Sequence, residues 1–260
     1  MSRTGREVAI VGADRGLPET VRRLGGSVVE PAAADLVVAV GEDAFRDAAR
    51  GDSTVPILVV GVPDAYYAVA FEDAEVAIQA LLSAPETDRP SPVDTSSDAD
   101  HPAHIDRSRV IDHPIVAVTV DGDRRDLALL DVTLLTSEPA RISEYGVTHG
   151  GETLQTFRAD AVTVATPAGS TGYARAAGGP VVRPGTGLVV VPIAPFTTHT
   201  DTVVLPGSVT LSVERDDEPV SIVVDGIDRG PVPAHAPIEI SVVDHASVVS
   251  PLHRRSSAPK

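Results

Sequence analysis

Hydrophobic residues in the first third of the chain come in short runs separated by amphipathic stretches. Val8-Ala9-Ile10-Val11-Gly12, Leu36 to Val40 and Val55 to Val60 read as strands too apolar to face water on either side. Glu19 to Leu24, Glu42 to Ala49 and Ala74 to Leu82 read as helices, the first stopped by Gly25-Gly26 and the second ended near Gly51. Short apolar strands alternating with helices predict a parallel sheet covered on both faces. In such sheets ligands bind at the carboxyl ends of strands, which is where Gly41 to Ala44 falls.

Beyond residue 113 the period becomes two. Ile115, Ala117 and Thr119 oppose Val116, Val118 and Val120, and Leu127 to Leu135, Ala161 to Ala165 and Leu188 to Val191 continue the pattern. Val203 to Leu205, Val209 to Val213, Val220 to Val224 and Ile238 to Val243 extend it into a β-rich second domain. Between the two patterns, Ser83 to Asp112 is rich in Pro, Ser, Asp and Thr with little apolar periodicity, as in a linker or mobile loop. The expected organisation is an α/β domain over 1–83, a linker over 84–112, a β-rich domain over 113–255 with a C-terminal segment able to return to the first domain, and a tail over 256–260. His101, His104 and His113 lie in or beside the linker. With no partner carboxylate on a regular element, they are expected to be solvated rather than to bind metal.

Composition narrows the function classes. At 260 residues the chain is long enough for one large or two smaller domains with a real core. Cysteine is absent, which excludes disulfides, thiolate catalysis and Cys-ligated zinc or iron–sulfur sites. Met1 to Glu7 is polar and unlike a signal peptide, and no run approaches the ~20 apolar residues needed to cross a bilayer, so the expected location is the cytoplasm. The net charge of −16 comes with one lysine, Lys260. Such a surface repels nucleic acid and anionic lipid, so neither is an expected partner. Acidic excess with almost no lysine also fits a halophile's cytoplasm, where a Debye length of ~3 Å in molar salt screens self-repulsion.

The most informative stretch is Asp160 to Pro180, DAVTVATPAGSTGYARAAGGP. A β-branched run stops at Pro167, and Gly169-Ser170-Thr171-Gly172 then offer bare N–H groups and hydroxyls to a ligand. Ala174 to Ala177 can begin a short helix whose first N–H groups attract anions. A tight turn with no ligand has the same spacing.

The string TPAGSTGYARAAGGP resembles the TP-x-GSTAY-x-x-SAGGP signature of NAD kinases, and the likeness continues in order along the chain. Val40-Gly41-Glu42-Asp43-Ala44 stands where that family carries GGDG, and Ala128 to Val132 where it carries a-L-N-E-v. Pro192-Ile193-Ala194-Pro195 with Val204-Leu205-Pro206 is similar to PI-x-P…VLP, and Val224-Asp225-Gly226 to a late DG motif. The resemblance implies a Rossmann-like α/β domain followed by a β-rich, sandwich-like domain, with subunits paired through the second as a homodimer or homotetramer. It also implies NAD as phosphoryl acceptor, giving NADP, with ATP or another donor and a divalent cation such as Mg2+.

The resemblance assigns roles residue by residue. Asp43 matches the aspartate that approaches the ribose 2′-hydroxyl and acts as base, although in this position it can equally cap the helix that follows. Gly41, Glu42 and Ala44 complete that motif. Leu130 and Asp131 stand at the NE positions, and Asp160, Ala168, Thr171, Gly172, Tyr173 and Ala176 at positions lining the dinucleotide. Tyr173 can stack on a base or be an ordinary core residue. Asp225 matches the DG aspartate, and a plain hairpin turn explains it equally well. Tyr67 stands where a phenylalanine lines the adenine pocket, although Gly61 to Ala65 lacks the N-x-G-x-L-G expected before it.

In the departures from the family pattern, carboxylates survive while bare backbone and polar amides are lost. Two motif glycines are Glu42 and Ala44, the NE asparagine is Leu130, the glutamate is Asp131, Ala159 and Ala161 flank Asp160, and Asp201 replaces an arginine. A carboxylate at Glu42 ~4 Å from a phosphate oxygen costs about 4 kcal/mol at an effective dielectric near 20. These losses leave open a non-catalytic relative that binds NAD or NADP and regulates or pairs with an active kinase. A kinase of another small hydroxylated metabolite is a further alternative. No Walker A or protein-kinase motif occurs, and Gly12-Ala13-Asp14-Arg15-Gly16 lacks G-x-G-x-x-G spacing.

Overall fold

The computed structural model describes residues 6–51, 54–63, 65–83, 110–138, 141–196, 200–215 and 219–250. His101, His104 and the linker up to residue 109 lie outside them. The chain divides into two compact units, one made of Met1–Pro63, Tyr67–Asp112 and Ala246–Lys260, the other of Asp64–Tyr66 and His113–His245.

The first unit is built on strands β1 (Glu7–Gly12), β2 (Ser27–Val28), β3 (Leu36–Val40) and β4 (Ile57–Val60), with the end of the last strand of the chain, β16 (Ile238–Val249). All pair in parallel, in the order β2-β1-β3-β4-β16, with Val38 opposite Leu58 and Val248 opposite Ile57. One face of the sheet, with Val8, Leu36, Val38, Leu58 and Val60, packs with Leu17 and Val21 of α1 (Leu17–Arg23) and Ile78 and Leu81 of α3 (Ala74–Leu82). Ala9, Val37, Ala39, Ile57 and Val59 on the other face are also buried, and α2 (Glu42–Ala49) packs against β1, β3 and β4. The run of apolar residues without alternation is thus explained by burial on both sides. No helix among the described residues is long and apolar enough to cross a membrane.

The second unit holds two mainly antiparallel sheets. One runs in the order β12 (Val203–Leu205), β11 (Leu188–Ile193), β10 (Ala161–Ala165), β7 (Asp131–Thr136), β14 (Val220–Val224), β15 (Ile227–Val232). The other joins β16 to β13 (Ser208–Val213), β8 (Ser143–His149) and β9 (Glu152–Ala159), with β5 (Val110–Val120) and β6 (Asp123–Ala128) alongside. Alternate residues of both, among them Val118, Leu134, Tyr145, Val162, Leu211 and Ile222, form one core. The outer face of β10 and β11 is covered in turn by Ala174 of α4 (Tyr173–Ala176) and by Val182.

Three sequence expectations are corrected. The single strand expected over Leu127 to Leu135 is two, β6 and β7, because the N–H groups of Leu129, Leu130 and Asp131 are taken by a side chain instead of a neighbouring strand. His113 is not solvated. It is fully buried on β5, with Nε2 2.8 Å from the Leu129 carbonyl. The β8–β9 hairpin, absent from the sequence reading, turns at Gly150-Gly151, both at positive φ.

Candidate functional site

The candidate residues fall in both units. In the first, β3 ends at Gly41, whose φ of 91° is open to glycine and strained for other residues. Gly41 donates its N–H to the Val60 carbonyl and accepts from Phe45, so the chain leaves the sheet and enters α2 within one residue. Glu42 and Asp43 are therefore the first two residues of the helix, where acidic groups are stabilised by its dipole. Asp43 does not cap it: the cap position is Gly41, and no side-chain cap hydrogen bond is made there. Instead the Asp43 carboxylate, with its side chain 91% exposed, pairs with the Arg46 guanidinium one turn on, which is 10% exposed.

Ala44, in place of a motif glycine, is accommodated from the neighbouring strand. A Cβ on Gly12 would lie 2.8 Å from the Ala44 methyl and 2.4 Å from the Val40 carbonyl oxygen. The glycine that ends β1 thus leaves the room that the alanine takes up. Tyr67 is 1% exposed and enclosed rather than presented at a surface.

In the second unit, the Leu129–Asp131 turn between β6 and β7 is held by several hydrogen bonds. Asp225, 4% exposed, accepts from the N–H of Leu129 (2.9 Å), Leu130 (2.7 Å) and Asp131 (3.1 Å). Its own N–H returns to the Asp131 carbonyl at 2.9 Å. Asp225 and Gly226 sit at φ 47° and 76° in the β14–β15 hairpin, so the hairpin reading is correct but incomplete. The turn is also held from the other side: Thr166 donates its hydroxyl to the Leu129 carbonyl at 2.6 Å and its N–H to the Leu130 carbonyl at 2.9 Å. Leu130 is 8% exposed, and both of its backbone polar groups are engaged.

The small-residue loop is tighter than its composition suggests. Gly169 to Thr171 form a single 3-10 turn, and Gly169 and Ser170 are buried. The Ser170 hydroxyl donates to the Pro167 carbonyl (2.9 Å) and accepts from the Val182 N–H (2.9 Å), so it serves the loop and not a ligand. Ala168 is fully buried, and its carbonyl accepts from the Tyr66 N–H and the Thr171 hydroxyl. What the loop presents outward is half-buried Thr171 and Gly172, then Tyr173, 49% exposed, and Ala176. Tyr173 is therefore not a core residue and its ring is available for stacking.

Asp160 occupies the exposed corner between β9 and β10. Its carbonyl accepts from the Tyr145 hydroxyl at 3.3 Å, a partner that sequence reasoning missed because Tyr145 lies in a strand it did not recognise. Burial, and then the nearby Asp160 charge, push the Tyr145 phenol up, so it stays a hydrogen-bond donor. Burial likewise lowers the His113 imidazole to about 4, which keeps it neutral and donating to Leu129. Among the described residues no three His, Asp or Glu side chains stand together as a metal site.

Residues 129–250 match the family of ATP-NAD kinase C-terminal domains. An NAD kinase of Gemmatimonas aurantiaca is 35% identical over 136 residues, 45% of this chain and 47% of that protein. The chain thus spans about half the length of that relative. An NAD kinase of Methanoregula boonei is 27% identical over 215 residues, 80% of this chain and 72% of that one. In fold, the chain is similar to an Archaeoglobus fulgidus NAD kinase solved in complex with ATP, with a TM-score of 0.66, 23% identity and 94% of each chain covered.

Proposed function

We propose that this chain, which belongs to the NAD kinase family, phosphorylates the adenosine ribose 2′-hydroxyl of NAD to give NADP, with ATP or another phosphoryl donor. The observation that carries the reading is Asp43: an exposed carboxylate at the carboxyl end of a parallel strand, held by a buried arginine. In the reaction the ribose 2′-oxygen attacks the terminal phosphorus of the donor, the bond from that phosphorus to the bridging oxygen breaks, and the hydroxyl proton passes to Asp43. Because such a transfer depends mainly on placement, the chain's further task is to orient the dinucleotide. Tyr173 supplies a stacking face, and Asp160 and Thr171 supply polar contacts. A divalent cation would enter with the donor phosphates and neutralise their charge.

A non-catalytic relative that binds NAD or NADP is the second reading, and two observations favour it. Glu42 places a second exposed carboxylate at the start of α2, and Leu130 presents a buried alkyl group in place of an amide. Incubating the protein in molar KCl with magnesium, NAD and either ATP or polyphosphate, and measuring NADP, separates the two. NADP formation supports the kinase. Tight dinucleotide binding without product supports the relative, and failure to bind NAD or NADP while folded removes both. Subunits paired through the β-rich unit are expected, and light scattering in the same salt tests it.

A further inference from the structure

The Asp225 carboxylate reaches 94 to 96 positions back along the sequence to take three consecutive backbone N–H groups. A buried carboxylate is costly unless it is hydrogen-bonded, and the Leu129–Asp131 turn supplies this one with three N–H donors. The same turn's outward carbonyls are taken by Thr166 and by the buried imidazole of His113. Three side chains from three separate strands or strand ends therefore fix a turn that carries the two residues standing at the NE positions. Asp131, half-buried, begins β7 with its N–H on Asp225 Oδ1, which sets where its own side chain leaves the backbone.

We propose that Asp225 acts as a positioning residue for dinucleotide binding, through the Leu129–Asp131 turn and not by touching the ligand. The role rests on the function proposed above. The carboxylate is 4% exposed and accepts from the backbone N–H groups of Leu129, Leu130 and Asp131, so it offers a ligand almost no surface. What it controls is the direction of the Asp131 side chain and the close approach of Gly169 to Leu130, which brings the small-residue loop against the turn.

The test uses the full chain in molar KCl. Asp225→Asn keeps an acceptor at Oδ1 but replaces Oδ2, which takes the Leu129 N–H at 2.9 Å, with a donor. Thr166→Val, which removes a donor on the opposite side of the turn, is the second variant should the first fail to fold. Amide hydrogen exchange and NAD affinity by calorimetry are read together. The expected result is faster exchange at Leu129, Leu130 and Asp131, with NAD affinity weakened about tenfold, equivalent to about 1.4 kcal/mol. Unchanged exchange at these amides, or faster exchange with unchanged affinity, overturns the proposal. Wild-type protein that protects these amides yet binds no NAD overturns the proposed function itself, and the positioning role with it.

Discussion

Gly169 lies so close to Leu130 that a Cβ on the glycine would stand 2.1 Å from the Leu130 carbonyl oxygen. The contact is backbone against backbone and cannot be relieved by rotating a side chain. Gly169→Ala should therefore destabilise the protein by about 2 kcal/mol or more, since either the loop or the Leu129–Asp131 turn must shift. Chemical denaturation at constant salt checks this, and dinucleotide affinity should fall with stability. A variant of wild-type stability would mean that the loop and turn are not in contact in solution.

Ser170 gives a contrasting expectation. Its hydroxyl accepts from the Val182 N–H, so Ser170→Ala leaves a buried donor unpaired and should cost about 1–3 kcal/mol. With Ser170 buried, NAD affinity should change little at temperatures where the variant remains folded. A large loss of affinity with little loss of stability would place this hydroxyl on the ligand after all.

His113 makes stability depend on pH. The folded state holds its imidazole near 4 against an ordinary 6.5, so below pH 6.5 the unfolded chain takes up a proton that the folded chain refuses. Stability should fall as pH drops from about 6.5 to about 4 and then level off, by about 3 kcal/mol from this group. His245 on β16, the strand that pairs with β5, disfavours the imidazolium and adds to the effect. His113→Gln keeps an N–H for the Leu129 carbonyl without a proton to gain. Denaturant midpoints across this window should be flatter in the variant, and an equal slope would assign the pH dependence elsewhere.

Glu42 should tune the use of the phosphoryl donor. If its charge repels the donor phosphates, Glu42→Gly should raise NADP formation several-fold at limiting ATP, and more so as salt is lowered within the folded range. A gain independent of salt would point to steric relief, and no gain at any salt would put Glu42 away from the phosphates.

The first unit was largely legible because β1, β3 and β4 are buried on both faces and announce themselves as apolar runs. The family likeness pointed to Asp43, Asp160 and Tyr173, and all three are exposed. What was not legible depends on distant partners. The break at Leu129-Leu130 is imposed by Asp225, and the Leu127–Leu135 pattern alone continues smoothly through it. His113 looked like a linker histidine because its acceptor, Leu129, lies in the distant turn between β6 and β7. The β8–β9 hairpin escaped because Glu152, Thr153 and Thr156 face water and its apolar residues are few, although Gly150-Gly151 marked the turn. Ser170 was expected to face a ligand from its residue type, and only its bond to Val182 reveals that it faces inward.

Asp43 is proposed to accept the proton of the acceptor hydroxyl. Asp43→Asn preserves the shape of the side chain while removing its basicity, so the direct measurement is NADP formation by wild type and variant at saturating NAD and donor in molar KCl. Product formation should fall by at least about a hundredfold while NAD affinity stays within a few-fold of wild type. A variant that makes NADP as fast as an active wild type would contradict this role.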